Sequence, residues 1–209
     1  MRNKIILLSG STGVGTSTYS LILANMLNIY TIIGTDSIRE VIRSILHSKI
    51  NPTLEKSTYL AGQTKNYANK DEAIQRAEII RAYKTQCDAV DVGIEGLIKR
   101  AKQENTSLIL EGVHLRPGKL IESKILNEDE TLEFLLYICD EKVHKRRFEQ
   151  RQQQAPERMM KKYIDNFREI RWIHDYLFER AKHAYGVCLI NNSKSIEDGI
   201  KIIEERLTK

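Results

Sequence analysis

An apolar run, Ile5 to Leu8, leads straight into Gly10-Ser11-Thr12-Gly13-Val14-Gly15-Thr16-Ser17-Thr18, and these nine residues give way to a helix-like stretch from Ser17 to Leu27. Strand, glycine-rich turn and helix in immediate succession leave few folds open. The turn follows the pattern G-x-x-x-x-G-K-[ST] except that Thr16 stands where the lysine belongs. Glycines let successive backbone N–H groups point into one concavity, and the following helix adds the positive end of its dipole. Gly10, Ser11, Thr12, Gly13, Val14, Gly15, Thr16, Ser17 and Thr18 are therefore expected to cradle the phosphates of ATP, with the Ser17 hydroxyl at the Mg²⁺ position. The cation that the lysine would bring to the β- and γ-phosphates has to come from elsewhere or be absent.

Short apolar runs recur at Ile5 to Ser9, Tyr30 to Gly34, Ser107 to Glu111, Thr131 to Cys139 and Val187 to Asn191, separated by long amphipathic stretches. Such runs suit strands buried on both faces, and their alternation with helices predicts a parallel five-stranded sheet built from right-handed crossovers. The fold expected is a three-layer α/β/α P-loop NTPase fold, like that of the nucleoside monophosphate kinases, with a basic lid. Residues 1–209 read as a single kinase domain carrying an acceptor-side insertion at 44–67 and a lid at 142–162. Ser195 followed by Asp198 predicts the start of the last helix. Tyr163, Phe167, Ile170, Trp172 and Phe178 read as core.

Lys and Arg number 33 against 28 Asp and Glu, a net charge of +5. The excess is local, because residues 142–162 hold eight basic and two acidic side chains. Charge so confined, without interleaved aromatics or a sustained apolar stripe, predicts neither a nucleic-acid partner nor a membrane one. The amino terminus shows no signal-peptide pattern, so a cytoplasmic protein is expected. Cys87, Cys139 and Cys188 lack metal-ligand spacing, and the last two read as small hydrophobes in strands.

Beyond the loop, ligands of an open α/β sheet bind at the carboxyl ends of the strands, which singles out further candidates. Asp36 follows the second run, where it can orient or deprotonate an acceptor hydroxyl or serve as a helix N-cap. Arg39 and Arg43, four apart on one helix face, can converge on an anion or form a solvated stripe with Glu40. Glu111 closes the third run, at a place where a carboxylate can orient Mg²⁺ or touch substrate, and His114 can bind a substrate oxygen or satisfy a turn. In the basic segment, Lys142, Lys145, Arg146, Arg147, Arg151 and Arg158 are available to neutralise a migrating phosphoryl group; Arg147 and Arg151 are the candidates for catalysis and for replacing the missing lysine.

Taken in order, GSTGVGTST, GTDSIREVIRS, the Pro52 to Gly62 stretch with Ser57-Thr58-Tyr59-Leu60-Ala61-Gly62, Val92-Gly93-Ile94-Glu95 and LILEGVHLRPG resemble the archaeal 2-phosphoglycerate kinase family, from the first strand to about Gly118. The resemblance implies a P-loop kinase that moves the γ-phosphoryl of ATP to a hydroxyl of a small phosphorylated acid. It assigns Gly10 to Thr18 to ATP, Ser17 to Mg²⁺, and Asp36, Arg39, Glu111 and His114 to the acceptor pocket. Two departures bear on the acceptor: long members carry an additional amino-terminal domain that these 209 residues lack, and Thr16 replaces the loop lysine. The short scaffold is similar to the mevalonate 3-phosphate 5-kinase branch, so mevalonate 3-phosphate, an isoprenoid precursor, is the acceptor expected here and 2-phosphoglycerate the alternative. A nucleotide-binding protein without catalysis and a nucleotide or polynucleotide kinase stand as further alternatives, and pairing into a homodimer is left open.

Overall fold

The computed structural model describes residues 4–46, 48–127, 131–154 and 161–208, with the backbone alone for 151–154. Five strands, β1 (Ile5–Ser9), β2 (Ile32–Gly34), β3 (Leu108–Gly112), β4 (Thr131–Tyr137) and β5 (Val187–Asn191), form one parallel sheet in the order β2-β3-β1-β4-β5. β1 is central and every one of its residues is buried. Its side chains alternate between two cores: Ile6 and Leu8 pack with Tyr19, Leu23 and Ile203, while Ile5 and Leu7 pack with Ile38, Val90, Ile94 and Ile98. A strand covered on both faces has no polar side to show, which is why it reads as an unbroken apolar run.

The layer on the first side comes from α1 (Thr16–Leu27) and α8 (Ile196–Leu207), that on the second from α2 (Thr35–Ile45) and the long α3 (Glu72–Gln103). A single turn, α4 (Lys119–Glu122), precedes β4, and α5 (Glu141–Gln154), α6 (Lys161–Asp165) and α7 (Phe167–His183) lie between β4 and β5. Ser195 Oγ accepts the Asp198 N–H at 3.2 Å and caps α8, as its sequence signal indicates. Ile170, Trp172, Phe148, Tyr59 and Tyr83 belong to a third core, between α3, α7 and the connection from α2 to α3.

That connection, residues 46–71, holds 3-10 turns at Pro52–Glu55 and Tyr67–Asn69 and is tied at both ends of the cleft. Gln86 of α3 donates to the Lys56 carbonyl at 2.9 Å and also to that of Thr53; Tyr67 Oη donates to Glu169 Oε1 of α7 at 3.0 Å. Two strand ends differ from the sequence reading. β2 starts at Ile32, since Tyr30 is 95% exposed, and β4 stops at Tyr137, which leaves Cys139 exposed rather than packed as a small hydrophobe. Among the described residues no helix is long and apolar enough to cross a membrane.

Candidate active site

The loop between β1 and α1 bends through left-handed backbone at Gly13 (φ 89°) and Gly15 (φ 107°), and Gly15 caps α1. Space closes the same positions to side chains: a Cβ on Gly13 would stand 2.4 Å from the Phe148 ring and one on Gly15 2.8 Å from Asn192 Nδ2. No acidic residue occupies the first turn of α1, so nothing in that turn opposes an anion at its amino end.

Ser17 and Glu111, 94 residues apart, meet beside the loop: Ser17 Oγ donates to Glu111 Oε1 at 3.0 Å. Parallel register delivers the carboxylate, because Glu111 pairs with Leu8 on one side and Gly34 on the other. Gly112 follows with φ 131°, and a Cβ there would lie 2.3 Å from Thr35 Oγ1. Among the described residues no three His, Cys, Asp or Glu side chains cluster as a metal cage. A hydroxyl and a carboxylate next to a phosphate loop are nevertheless the donors Mg²⁺ uses when most of its ligands are water and phosphate oxygen.

Asp36 lies in the first turn of α2, its side chain 76% exposed at the carboxyl edge of the sheet. Desolvation in the crevice raises its carboxyl above the ordinary value, Arg39 opposes that rise and Glu40 adds to it. His114 stands behind it, fully buried, with Nδ1 3.9 Å from Asp36 Oδ1. Both ring nitrogens are taken. Gln86 uses its amide hydrogens on two carbonyls, so its Oε1 accepts from His114 Nε2 at 3.1 Å, and Nδ1 accepts from the Thr35 hydroxyl at 3.1 Å. Burial holds the ring neutral, pushing its pKa down to about 3. His114 is thus placed as a brace between α2, α3 and the β3 end, away from where a substrate oxygen could reach its ring.

Arg39 and Arg43 do converge, but on Glu40: Arg39 Nη2 reaches Glu40 Oε1 at 2.5 Å and Arg43 Nε reaches Glu40 Oε2 at 2.9 Å. Arg43 also pairs with Glu55 at 3.4 Å and is 41% exposed, which puts it on the surface of the insertion. Arg39 is only 15% exposed, donates to the Lys56 carbonyl at 3.0 Å and keeps its Nε without a partner.

The far wall comes from α5 and the loop after β5. Arg147 donates to the Val14 carbonyl at 3.3 Å and to that of Asn192, while Asn192 Nδ2 donates to Val14 O at 2.8 Å. One turn earlier, His144 Nε2 donates to the Thr12 carbonyl at 2.9 Å and its Nδ1 faces Arg171 Nη1 at 3.5 Å. Burial pushes the pKa of His144 down to about 3, so it serves as a neutral donor. α5 therefore grips two carbonyls of the loop, those of Thr12 and Val14. Arg147 brings its charge next to the loop that lacks a lysine. Arg151 lies in the last turn of α5 with its side chain outside the described residues, and Arg158 lies outside them altogether. Sequence reasoning missed Asn192, His144 and Gln86; the polar Asn191-Asn192-Ser193 directly after an apolar strand was the one available signal for the first of these.

No protein-family model matches the chain. A protein of Methanothermobacter thermautotrophicus named 2-phosphoglycerate kinase is 38% identical over 189 residues, 90% of this chain and 60% of its own length. Another so named, from Methanocaldococcus jannaschii, is 37% identical over 209 residues, 99% of this chain and 65% of its own. The chain thus spans less than two thirds of the length of these curated relatives. Among solved structures, TT1252 from Thermus thermophilus aligns over 100% of this chain and 98% of its own at 16% identity with a TM-score of 0.50, which supports the fold. The chain, an α/β fold with a parallel sheet of order β2-β3-β1-β4-β5 and a glycine-rich turn after its central strand, is a homologue across nearly all its residues of the archaeal proteins named 2-phosphoglycerate kinase.

Proposed function

We propose that this chain is the catalytic part of an ATP-dependent kinase whose acceptor is the free hydroxyl of 2-phosphoglycerate. The carrying observation is the meeting, at one sheet edge, of the loop and its Ser17–Glu111 pair with Asp36 and Arg39 on the side of the insertion. The relatives are named for 2-phosphoglycerate, and that redirects the sequence expectation away from mevalonate 3-phosphate. The acceptor oxygen attacks the γ-phosphorus, the bond to the β,γ-bridging oxygen breaks, ADP leaves with those electrons, and the hydroxyl proton passes to Asp36. Loop amides and the α1 amino end hold the triphosphate, Arg147 offsets charge beside it, and Ser17 with Glu111 are the groups that would hold Mg²⁺, which supplies charge neutralisation when bound.

The test is ADP release by the purified chain with MgATP and each of 2-phosphoglycerate, mevalonate 3-phosphate and AMP. The highest kcat/KM is expected with 2-phosphoglycerate, and Asp36→Asn should lower its kcat by about a hundredfold or more with ATP binding retained. Turnover with none of the three overturns the reading in favour of nucleotide binding without transfer, and an unchanged Asp36→Asn rate removes Asp36 as the group that takes the proton.

A further inference from the structure

Thr12–Gly13 and Val14–Gly15 are the two peptide units of the phosphate loop that precede a glycine in left-handed backbone, with φ 89° at Gly13 and 107° at Gly15. A trans peptide is planar and points its C=O and N–H in opposite directions, so whatever holds the carbonyl also aims the amide of the next residue. Ahead of a glycine that aim is weakly fixed by the chain itself, because glycine accepts positive and negative φ almost equally and the unit can turn over. Both carbonyls are held by buried side chains from far along the chain. His144, fully buried, donates from Nε2 to the Thr12 carbonyl at 2.9 Å, and Asn192, 2% exposed, donates from Nδ2 to the Val14 carbonyl at 2.8 Å. The holders are themselves fixed. Asn192 Oδ1 accepts from the Tyr19 hydroxyl at 3.2 Å, and His144 Nδ1 faces Arg171 Nη1, which can only donate and so leaves the imidazole proton on Nε2. Arg171 is 8% exposed and anchored on the Ile138 carbonyl at 2.8 Å and on Asp175 at 3.2 Å. Between the two units, the Val14 N–H is used on the Ser11 carbonyl at 3.3 Å, whereas the N–H groups of Gly13 and Gly15 meet no acceptor among the described residues.

We infer that His144 and Asn192 are positioning residues for phosphate binding: by pinning the carbonyls of Thr12 and Val14 they aim the N–H groups of Gly13 and Gly15 at the phosphates of the nucleotide. Left unpinned, either unit can present its carbonyl instead, and an acceptor oxygen set against a phosphate repels it. Because Thr16 gives the loop no ammonium, amide donors supply more of the phosphate binding here than in a loop with a lysine. Arg147 shares the Val14 carbonyl at 3.3 Å, but its charge acts on a phosphate directly, so the two neutral side chains are the ones that isolate the effect of amide direction. The inference rests on the nucleotide-binding half of the kinase reading above and is independent of which acceptor hydroxyl is used.

His144→Phe keeps a ring among Phe148, Phe167 and His174 and removes the donor, while His144→Gln restores an amide hydrogen near the place of Nε2. Asn192→Leu removes the donor at Val14 and leaves the Tyr19 hydroxyl the Ile196 carbonyl, 3.3 Å away. Calorimetry should show MgADP bound about 10-fold or more weakly by His144→Phe and Asn192→Leu, and within about threefold of wild type by His144→Gln. Adenosine, which carries no phosphate, should bind to wild type and variants alike within about twofold. An unchanged MgADP affinity in His144→Phe or Asn192→Leu removes that residue from the assignment. Equal losses for MgADP and adenosine, or binding by His144→Gln as weak as by His144→Phe, reduce the two bonds to support of the fold and overturn the inference. The kinase reading fails separately: if no acceptor is turned over but the MgADP losses appear as stated, transfer is disproved and the loop assignment stands. A wild-type chain that binds no MgADP ends both.

Discussion

Thr16 takes an ammonium out of a loop built for phosphates, and Arg147 sets a guanidinium against the outer side of that loop. Replacement of one cation by the other has a specific consequence. Arg147→Ala should lower kcat about a hundredfold, since a guanidinium on the transferring group can supply that much or more. In a Thr16→Lys background the same change should cost less than about tenfold, because the restored lysine reaches the β- and γ-phosphates from inside. Steady-state rates of the two single variants and the double variant give the coupling, and identical losses in both backgrounds would show that Arg147 does not substitute for the lysine. At this scale it is position that the sequence made legible, where a residue is bound to a motif or a strand end, as for Ser17, Asp36 and Glu111 at the carboxyl edge of the sheet. It was least legible where contacts join distant segments: His144 meets Thr12 across 132 positions and Asn192 meets Val14 across 178, and no local spacing encodes either. His114 and Arg43 show the converse. Their residue types suit anion binding, but burial behind Thr35 and pairing with Glu40 and Glu55 were decided by tertiary placement.

The insertion between α2 and α3 depends on few side chains, and Gln86 is foremost among them. From the face of one buried amide it bonds the carbonyls of Thr53 and Lys56 and the ring of His114, so it joins the insertion to the strand ends that carry Asp36 and Glu111. Gln86→Leu matches the volume but leaves two carbonyls and a ring nitrogen unsatisfied. It should destabilise the fold by about 2–4 kcal/mol in urea titration, and limited proteolysis should cut residues 48–65 faster at urea concentrations too low to unfold the sheet. Loss of global stability with no change in the cleavage pattern would mean that Gln86 supports the core and not the insertion. The five strands were legible in the sequence because a parallel sheet covered on both faces requires continuous apolar runs, and only the fraying ends at Tyr30 and Cys139 departed from them. The insertion was visible as an interruption but its conformation was not, since side-chain bonds to carbonyls hold it and leave no periodicity to read.

For the molecule as a whole, the buried ionisable groups set how stability follows pH. Glu133 lies within β4, 4% exposed, with Oε1 accepting the Gly118 N–H at 3.0 Å and Oε2 unpartnered. Burial pushes its pKa up to about 7, from an ordinary 4.5. Between those values the unfolded chain has released a proton that the fold retains, so stability falls as pH rises, and the cost is complete above about pH 7. His114 and His144, both pushed down to about 3, act in the other direction: below about pH 6.5 the unfolded chain binds protons that the fold refuses, and stability is lost as pH falls. Glu133→Gln keeps the acceptor for Gly118 and removes only the titration. It should raise stability at pH 8 by about 2–3 kcal/mol, or Tm by roughly 5 °C, and change it little at pH 4.5, where the folded carboxyl is protonated and the unfolded one about half so. Between about pH 7 and 4.5 the gap between the variant and the wild type should narrow as pH falls, while the contribution of the histidines, untouched by the change, is common to both. Thermal melts of the two proteins from pH 4.5 to 8 decide the matter, and a shift of equal size at every pH would assign the effect of Glu133 to packing instead of charge.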